Sequence, residues 1–255
     1  MPQPKVETVL QGFTIGTTQG RVGFCAVTLI RGSRNILVDA AHVGRRPLLI
    51  QRLGEMGLSP ADIDVVFLTH AHWDHILNVD VFPKAEFLIH PKEREYAKHP
   101  HKNDWATPAY TSAVLESYNL REVKEGDKID EGVTVLDTPG HTAGSMAVLA
   151  DTAGGLTAIC GDSVHNGWAA RTGQPRLVFW NLEQGKESIR KVLGQADIIY
   201  PGHDRPFRFT GGKVHYQETT SIHIFDLPEA GEGEGPHSFG YGFEPETRPA
   251  ELLPE

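Results

Sequence analysis

Thr69-His70-Ala71-His72-Trp73-Asp74-His75 sets four metal-capable side chains within six residues, directly behind the apolar run Val65-Val66-Phe67-Leu68. The run has the length and β-branched character of a buried strand, so the cluster is predicted to hang from its end. Side chains at the tip of a rigid strand keep a fixed mutual geometry, which a catalytic metal site requires. The bland alternative is a polar surface turn rich in histidine. The two differ in one respect: a metal site needs further ligands elsewhere in the chain.

Three later segments offer them. Leu136-Asp137-Thr138-Pro139-Gly140-His141-Thr142, Ala158-Ile159-Cys160-Gly161-Asp162 and Ile199-Tyr200-Pro201-Gly202-His203 share one device. An apolar strand ends, a glycine follows, and a ligand side chain sits at the tip. Glycine there permits a sharp turn and a close backbone approach. Imidazoles suit zinc and also iron, and carboxylates add charge and can bridge two cations.

With these residues in place, His70-x-His72-x-Asp74-His75, Thr138-Pro139-Gly140-His141-Thr142, Gly161-Asp162 and Pro201-Gly202-His203 together resemble the metallo-β-lactamase fold superfamily. The resemblance runs from Asp39 to about His203. It is to the glyoxalase II and acyl-homoserine lactonase branch, through the complete dinuclear ligand set. It is unlike the subclass B1 β-lactamases, which use a cysteine where this chain offers Asp162. The resemblance implies an α/β (α+β) fold, a four-layer αβ/βα sandwich with the metals between the sheet edges. It implies that His70, His72 and His141 hold a first metal, that Asp74, His75 and His203 hold a second, and that Asp162 bridges them. The cofactor is then two divalent ions, zinc foremost, with iron or manganese as alternatives. The implied activity is metal-dependent hydrolysis of a small lactone, ester or thioester by a metal-bridging hydroxide, with Asp74, Asp162 and His165 as catalytic residues. A phosphodiesterase or nuclease of the same fold is the nearest rival, and a di-iron redox protein a further one.

Two neighbours of this set are read more openly. Asp39 matches the aspartate after the early strand in many members, and is either the partner that orients a ligand histidine or a turn residue. His165 stands where the best-known homoserine lactonases place a tyrosine. It either donates a hydrogen bond to a developing oxyanion, or is a structural histidine. This departure puts homoserine lactones in doubt as the substrate. His42 departs from a glycine frequent near that position and receives no role. Trp73, Trp105, Tyr110, Trp168, Phe179 and Trp180 lie in segments that should border the site, as an apolar substrate wall or as plain core.

Composition bounds the rest. The chain has 255 residues, 39% hydrophobic and 22% charged, as in a water-soluble globular protein. A formal net charge of −9 argues against broad nucleic-acid affinity, which rests on neutralising phosphates. Cys25 and Cys160 form no Cys-x-x-Cys pair and read as reduced core residues. No signal peptide and no membrane span are visible, so a cytoplasmic location is expected. The partner expected is a small-molecule substrate, and a homodimer is the default assembly.

Residues 1–210 are read as the hydrolase domain, with a helical insertion at about 91–118, and residues 211–255 as a partly flexible C-terminal extension. Strands are expected at Val6–Ile15, Val22–Ile30, Asn35–Asp39, Val65–Leu68, Glu86–His90, Leu120–Lys124, Thr134–Asp137, Ser145–Ala150, Leu156–Cys160 and Asp197–Tyr200. Helices are expected over Arg46–Met56, Pro91–Lys98, Pro108–Tyr118 and Glu183–Leu193, with a helix start at Ile76-Leu77-Asn78. The insertion is either a lid or substrate wall, or an ordinary surface excursion.

Overall fold

Most central strands of this chain are apolar on both faces, which requires a layer on each side. The computed structural model, which describes residues 3–223, supplies those layers. The first half runs β1 (Lys5–Leu10), β2 (Phe13–Thr17), β3 (Gly20–Phe24), β4 (Val27–Arg31), β5 (Asn35–Val38), α1 (Arg46–Glu55), β6 (Val65–Phe67), α2 (Trp73–Ile76), β7 (Glu86–Ile89), α3 (Pro91–Tyr96), α4 (Thr111–Glu116) and β8 (Leu120–Glu122). The second runs β9 (Lys128–Asp130), β10 (Val133–Asp137), β11 (Met146–Thr152), β12 (Gly155–Ile159), α5 (Gly167–Thr172), α6 (Leu182–Leu193), β13 (Ile198–Tyr200), β14 (Phe207–Thr210) and β15 (Lys213–Tyr216).

The strands form a six-stranded sheet, β1-β4-β5-β6-β7-β8, a seven-stranded sheet, β15-β14-β13-β12-β11-β10-β9, and a separate two-stranded hairpin, β2-β3. β5, β6, β7 and β8 pair in parallel, as do β12 and β13. Alternation along the strands sorts side chains into three cores. Ile36, Val38, Val65 and Phe67 face Met146, Val148, Ala150 and Ile159 between the sheets. Leu37 and Val66 point the other way, onto Leu49 and Leu53 of α1. Ala147, Leu149 and Ile199 point outward beneath Ile189 and Val192 of α6. This is the four-layer αβ/βα sandwich expected from the sequence.

The differences are local. Each of the two long early strands is divided, giving β1 and β2, then β3 and β4. At the second break the backbone leaves its strand so that Ala26 N–H donates to the Gly202 carbonyl at 2.6 Å, tying the start of β4 to the loop that carries His203. The helix expected to begin at Ile76 instead ends there, as α2. Beyond it, the Asn78 amide donates to the carbonyls of Ala40 and His42, both at 2.9 Å, and these long-range bonds set the chain path. β9, α5, β14 and β15 were not expected. The boundary expected at residue 210 falls inside the β14–β15 hairpin, which continues the second sheet to Tyr216. The acidic glycine-rich run at residues 229–236 and the aromatic stretch at residues 237–243 of the expected C-terminal extension lie outside the described residues.

Candidate metal centre

The candidate ligands gather where the two sheets present the C-terminal ends of β5, β6, β10, β12 and β13. Asp39 follows β5, the His70–His75 cluster follows β6, His141 follows β10, Asp162 follows β12, and His203 follows β13. The sharp approach is sterically strict: a Cβ on Gly202 would stand 2.2 Å from Asp162 Oδ1. His70, His72, His141 and Asp162 converge as one buried group, and Asp74, His75 and His203 as another. Asp162 splits its carboxylate between them. Its Oδ2 lies 3.4 Å from His141 Nε2, while Oδ1 lies 3.4 Å from His75 Nε2 and 3.2 Å from His203 Nε2. Asp74 Oδ2 lies 3.4 Å from His203 Nε2 and 3.8 Å from His75 Nε2.

Every histidine of the two groups has a partner on its outer nitrogen, and those partners assign the tautomers. His75 Nδ1–H donates to Asp39 Oδ2 at 2.7 Å. His72 Nε2–H donates to Asp104 Oδ2 at 3.3 Å. His141 Nδ1–H donates to the Leu177 carbonyl at 2.6 Å, and His203 Nδ1–H to the Phe13 carbonyl at 3.2 Å. Thr69 Oγ1 donates to Asp39 and therefore accepts from His70 Nδ1–H at 3.0 Å. What remains for the centre is a set of lone pairs. His70 Nε2 and His141 Nε2 each stand 3.0 Å from His72 Nδ1 with no proton left between them. Lone pairs that close repel unless a positive charge lies among them. Ligand atoms of a tetrahedral zinc stand about 3.3–3.5 Å apart, close to the spacings here. His75 Nε2 and Asp162 Oδ1 are buried without any hydrogen bond, as orphaned donors to an ion would be. The residues present therefore fit divalent cations.

Three non-glycine residues among those described adopt left-handed backbone: Asp39 at φ 62°, Ala41 at φ 58° and Leu177 at φ 48°. Asp39 and Leu177 each orient a histidine of the centre, so the strain at those two has an evident use. Asp39 thus takes the orienting role rather than that of a simple turn residue. His165 is buried and stacks on His203 with ring centroids 4.4 Å apart. Its Nδ1 has no hydrogen-bond partner, and the residue lines the cleft. His42, left without a role by the sequence, accepts from Gly44 N–H at 3.1 Å and caps the short turn before α1.

A narrow cleft opens above the centre, with His72, Asp74, His141, Asp162 and His203 at its floor. Trp73, Trp105, Leu177 and Phe179 wall it, and Thr14 and Arg21 reach it from the β2–β3 hairpin. Trp168 belongs to the outer core instead, beside α6. Tyr110 and Trp180 are exposed and are not among the cleft residues.

Glu93, Tyr96, Asp104 and Thr69 escaped the sequence reading. No local spacing marks them, and two of the orienting groups are backbone carbonyls, which carry no residue identity at all.

Electrostatics follow from burial and crowding. Burial and the neighbouring histidines push His70 far below its ordinary value, and burial takes His141 down to about 4. Burial also opposes protonation of His75, but negative charge around it prevails and its pKa is raised. At neutral pH that charge is the carboxylates of Asp39, Asp74 and Asp162, because burial keeps the Cys25 thiol protonated. His203 is raised as well, against burial, by Asp162 and then Asp74. A proton and a cation thus compete for His75 Nε2 and His203 Nε2. A raised pKa means that this competition begins above the ordinary histidine value and grows as pH falls. Zinc retained after dialysis is expected to drop between about pH 8 and about pH 5. Equal metal content at both ends would contradict the competition.

The fold and these two groups define a protein built to hold divalent metal at the mouth of an αβ/βα sandwich. The chain belongs to the metallo-beta-lactamase superfamily, whose family profile matches residues 20–203. Members of that superfamily are generally metal-dependent hydrolases. A Xenopus laevis protein, metallo-beta-lactamase domain-containing protein 1, is 33% identical over 196 residues, covering 76% of this chain and 77% of the relative. The human protein of the same name is 30% identical over 182 residues, covering 68% of this chain and 59% of its own length. Among solved structures, a B. thuringiensis AiiA mutant with N-decanoyl-L-homoserine at its active site superposes with a TM-score of 0.61 at 18% identity, covering 75% of this chain and 88% of that one. At that identity the likeness is one of fold.

Proposed function

We propose that this chain is a dinuclear metal-dependent hydrolase of a small lactone, ester or thioester. The observation that carries the reading is the divided carboxylate of Asp162, one oxygen toward each group of histidines. Asp39, Asp74, Glu93, Asp104 and Asp162 are the buried carboxylates among the described residues, against one buried guanidinium, Arg45. Buried charge must be compensated, and bound cations would supply that compensation.

When bound, such a pair polarises a carbonyl and makes water nucleophilic near neutral pH. The chain's own residues do the remaining work. Asp162 and Asp74 hold the ions' charge in place, and the outer partners of the histidines keep every lone pair aimed inward. Trp105 and Phe179, with ring centroids 6.0 Å apart, give an acyl group an apolar wall. His165 donates a hydrogen bond to the oxygen on which negative charge develops. Zinc is our preferred metal, a small molecule the substrate, a homodimer the assembly and the cytoplasm the location.

The reading is tested by metal-analysed protein on a panel of a γ-lactone, p-nitrophenyl acetate, an acyl thioester and bis-p-nitrophenyl phosphate. Turnover of a carbonyl substrate is expected; turnover of the phosphodiester alone would transfer the site to the rival chemistry. On the best carbonyl substrate, His165→Phe is expected to lower kcat about 10²–10³-fold with a smaller change in KM, and His165→Gln to recover part of it. An unchanged kcat in His165→Phe would return His165 to a structural role.

A further inference from the structure

The segment expected to be a lid, a substrate wall or a surface excursion gives Trp105 to the cleft wall and has a second relation to the centre. We infer that Pro91–Thr107, comprising α3 and the loop behind it, is the frame that holds the first candidate metal site in shape, with Glu93 and Asp104 as its positioning residues. The inference rests on the two-metal reading above and gives the first half of the centre a support that the histidines of the second half do not bond to.

Glu93 is fully buried on α3. Its Oε1 accepts from Ala71 N–H at 2.9 Å. Its Oε2 accepts from Thr142 Oγ1–H at 2.7 Å and from Gly144 N–H at 2.9 Å. Ala71 lies between His70 and His72, and Thr142 follows His141. One carboxylate therefore ties together the loops that carry all three histidines of the first site, although those loops come from opposite sheets. The fit is close: a Cβ on Gly144 would stand 2.2 Å from Glu93 N, so only glycine lets that loop close on α3. Three donors and no Lys or Arg converge on this side chain. A protonated acid would have to aim its own O–H at one of those donors, so the ionised form fits the bonding. Such a buried anion is costly without a cation nearby, and an ion among the three histidines would supply one.

Asp104 completes the frame from the loop. Its Oδ2 accepts from Tyr96 O–H at 2.8 Å, from Thr107 Oγ1–H at 2.8 Å and from His72 Nε2–H at 3.3 Å. Its Oδ1 accepts from the backbone N–H groups of Ala106 and Thr107 at 2.8 and 3.1 Å. The carbonyl of Ala106 in turn accepts from Trp73 N–H at 2.9 Å. The loop is thus self-bonded around Asp104 and grips both the His72 ring and the backbone just after it. That grip makes His72 present Nδ1, whereas His70 and His141 present Nε2. The histidines of the second site are held elsewhere, His75 by Asp39 and His203 by the Phe13 carbonyl.

Weakening the frame should therefore loosen one metal and spare the other. The test uses the full-length chain, titrated with zinc against a chromophoric chelator, with metal content measured in parallel. The unmodified protein is expected to bind two zinc ions per chain. Glu93→Gln and Asp104→Asn are each expected to keep one at unchanged affinity and to hold the other about 10–100-fold more weakly. In a His203→Ala background, where the second site is crippled, Asp104→Asn should weaken the remaining ion by the same factor. Cobalt substitution reports independently, through a change in the visible spectrum of the three-histidine site. Two unaltered affinities in the variants would overturn the inference, as would equal weakening at both sites, which a general loosening would give. Should Glu93→Gln fail to fold by circular dichroism, Asp104→Asn decides, with Tyr96→Phe expected to shift the same affinity less. An unmodified protein that binds no more than one zinc defeats the two-metal reading itself, a failure distinct from that of the frame.

Discussion

Asp162→Ala is expected to lower turnover of whichever panel substrate the wild type hydrolyses by about 10³-fold or more, while the fold survives. Asp162 turns one carboxylate oxygen toward each group, Oδ2 to His141 and Oδ1 to His75 and His203. Without it the two halves lose their shared anion, and the charge balance of the centre falls by one. Metal content is expected to fall with activity. The metal-free protein should still fold, because the substitution removes nothing from the three apolar cores. Asp162→Asn keeps the shape and loses the charge, so it separates the two contributions. Rate assays, metal analysis and thermal melts of the metal-free proteins measure all three. Full activity in Asp162→Ala would defeat the bridging role.

The second large effect concerns stability. Phe67 is fully buried between the sheets, on the strand whose end carries the histidine cluster. Phe67→Ala is expected to cost about 3–5 kcal/mol, as apolar contact is lost and a cavity is left. For a domain of this size that lowers Tm by roughly 6–20 °C. The Phe67 carbonyl also accepts from Asp39 N–H at 2.9 Å, so movement of β6 reaches the residue that orients His75. A metal-binding defect should accompany the loss of stability. Val22→Ala, on the exposed β2–β3 hairpin, serves as the control and should stay within about 0.5 kcal/mol. Urea unfolding of both variants is the measurement. A loss below about 1 kcal/mol in Phe67→Ala would mean that the two sheets pack less tightly than described.

Most strands were legible because burial on both faces writes continuous apolar runs such as Val65–Leu68 and Ile198–Tyr200. Those lost to the reading, β9, β14 and β15, are edge or near-edge strands with polar residues such as Lys128, Asp130 and His215. Their pairing partners, not their composition, make them strands. The same reason explains α2. Its four residues carry no apolar period of their own, and the helix is set by the loops packed around it.

The sequence by itself pointed to metal chemistry. Five histidines and two aspartates, each placed just past a strand or within the cluster, suggest a divalent-metal centre because few other uses need those side chains at those points. It also indicated the layered fold, through the apolar runs and through the family resemblance that the ligand motifs carry. Only the tertiary structure decided which nitrogen each histidine turns inward and which group holds it there. Those groups are a carboxylate from a loop far along the chain, a threonine hydroxyl, and the carbonyls of Phe13 and Leu177. The physical reason is that a hydrogen bond depends on where atoms meet, and any residue can contribute a carbonyl. The cluster at His70–His75 therefore names the metal site in one dimension, while its geometry is settled in three.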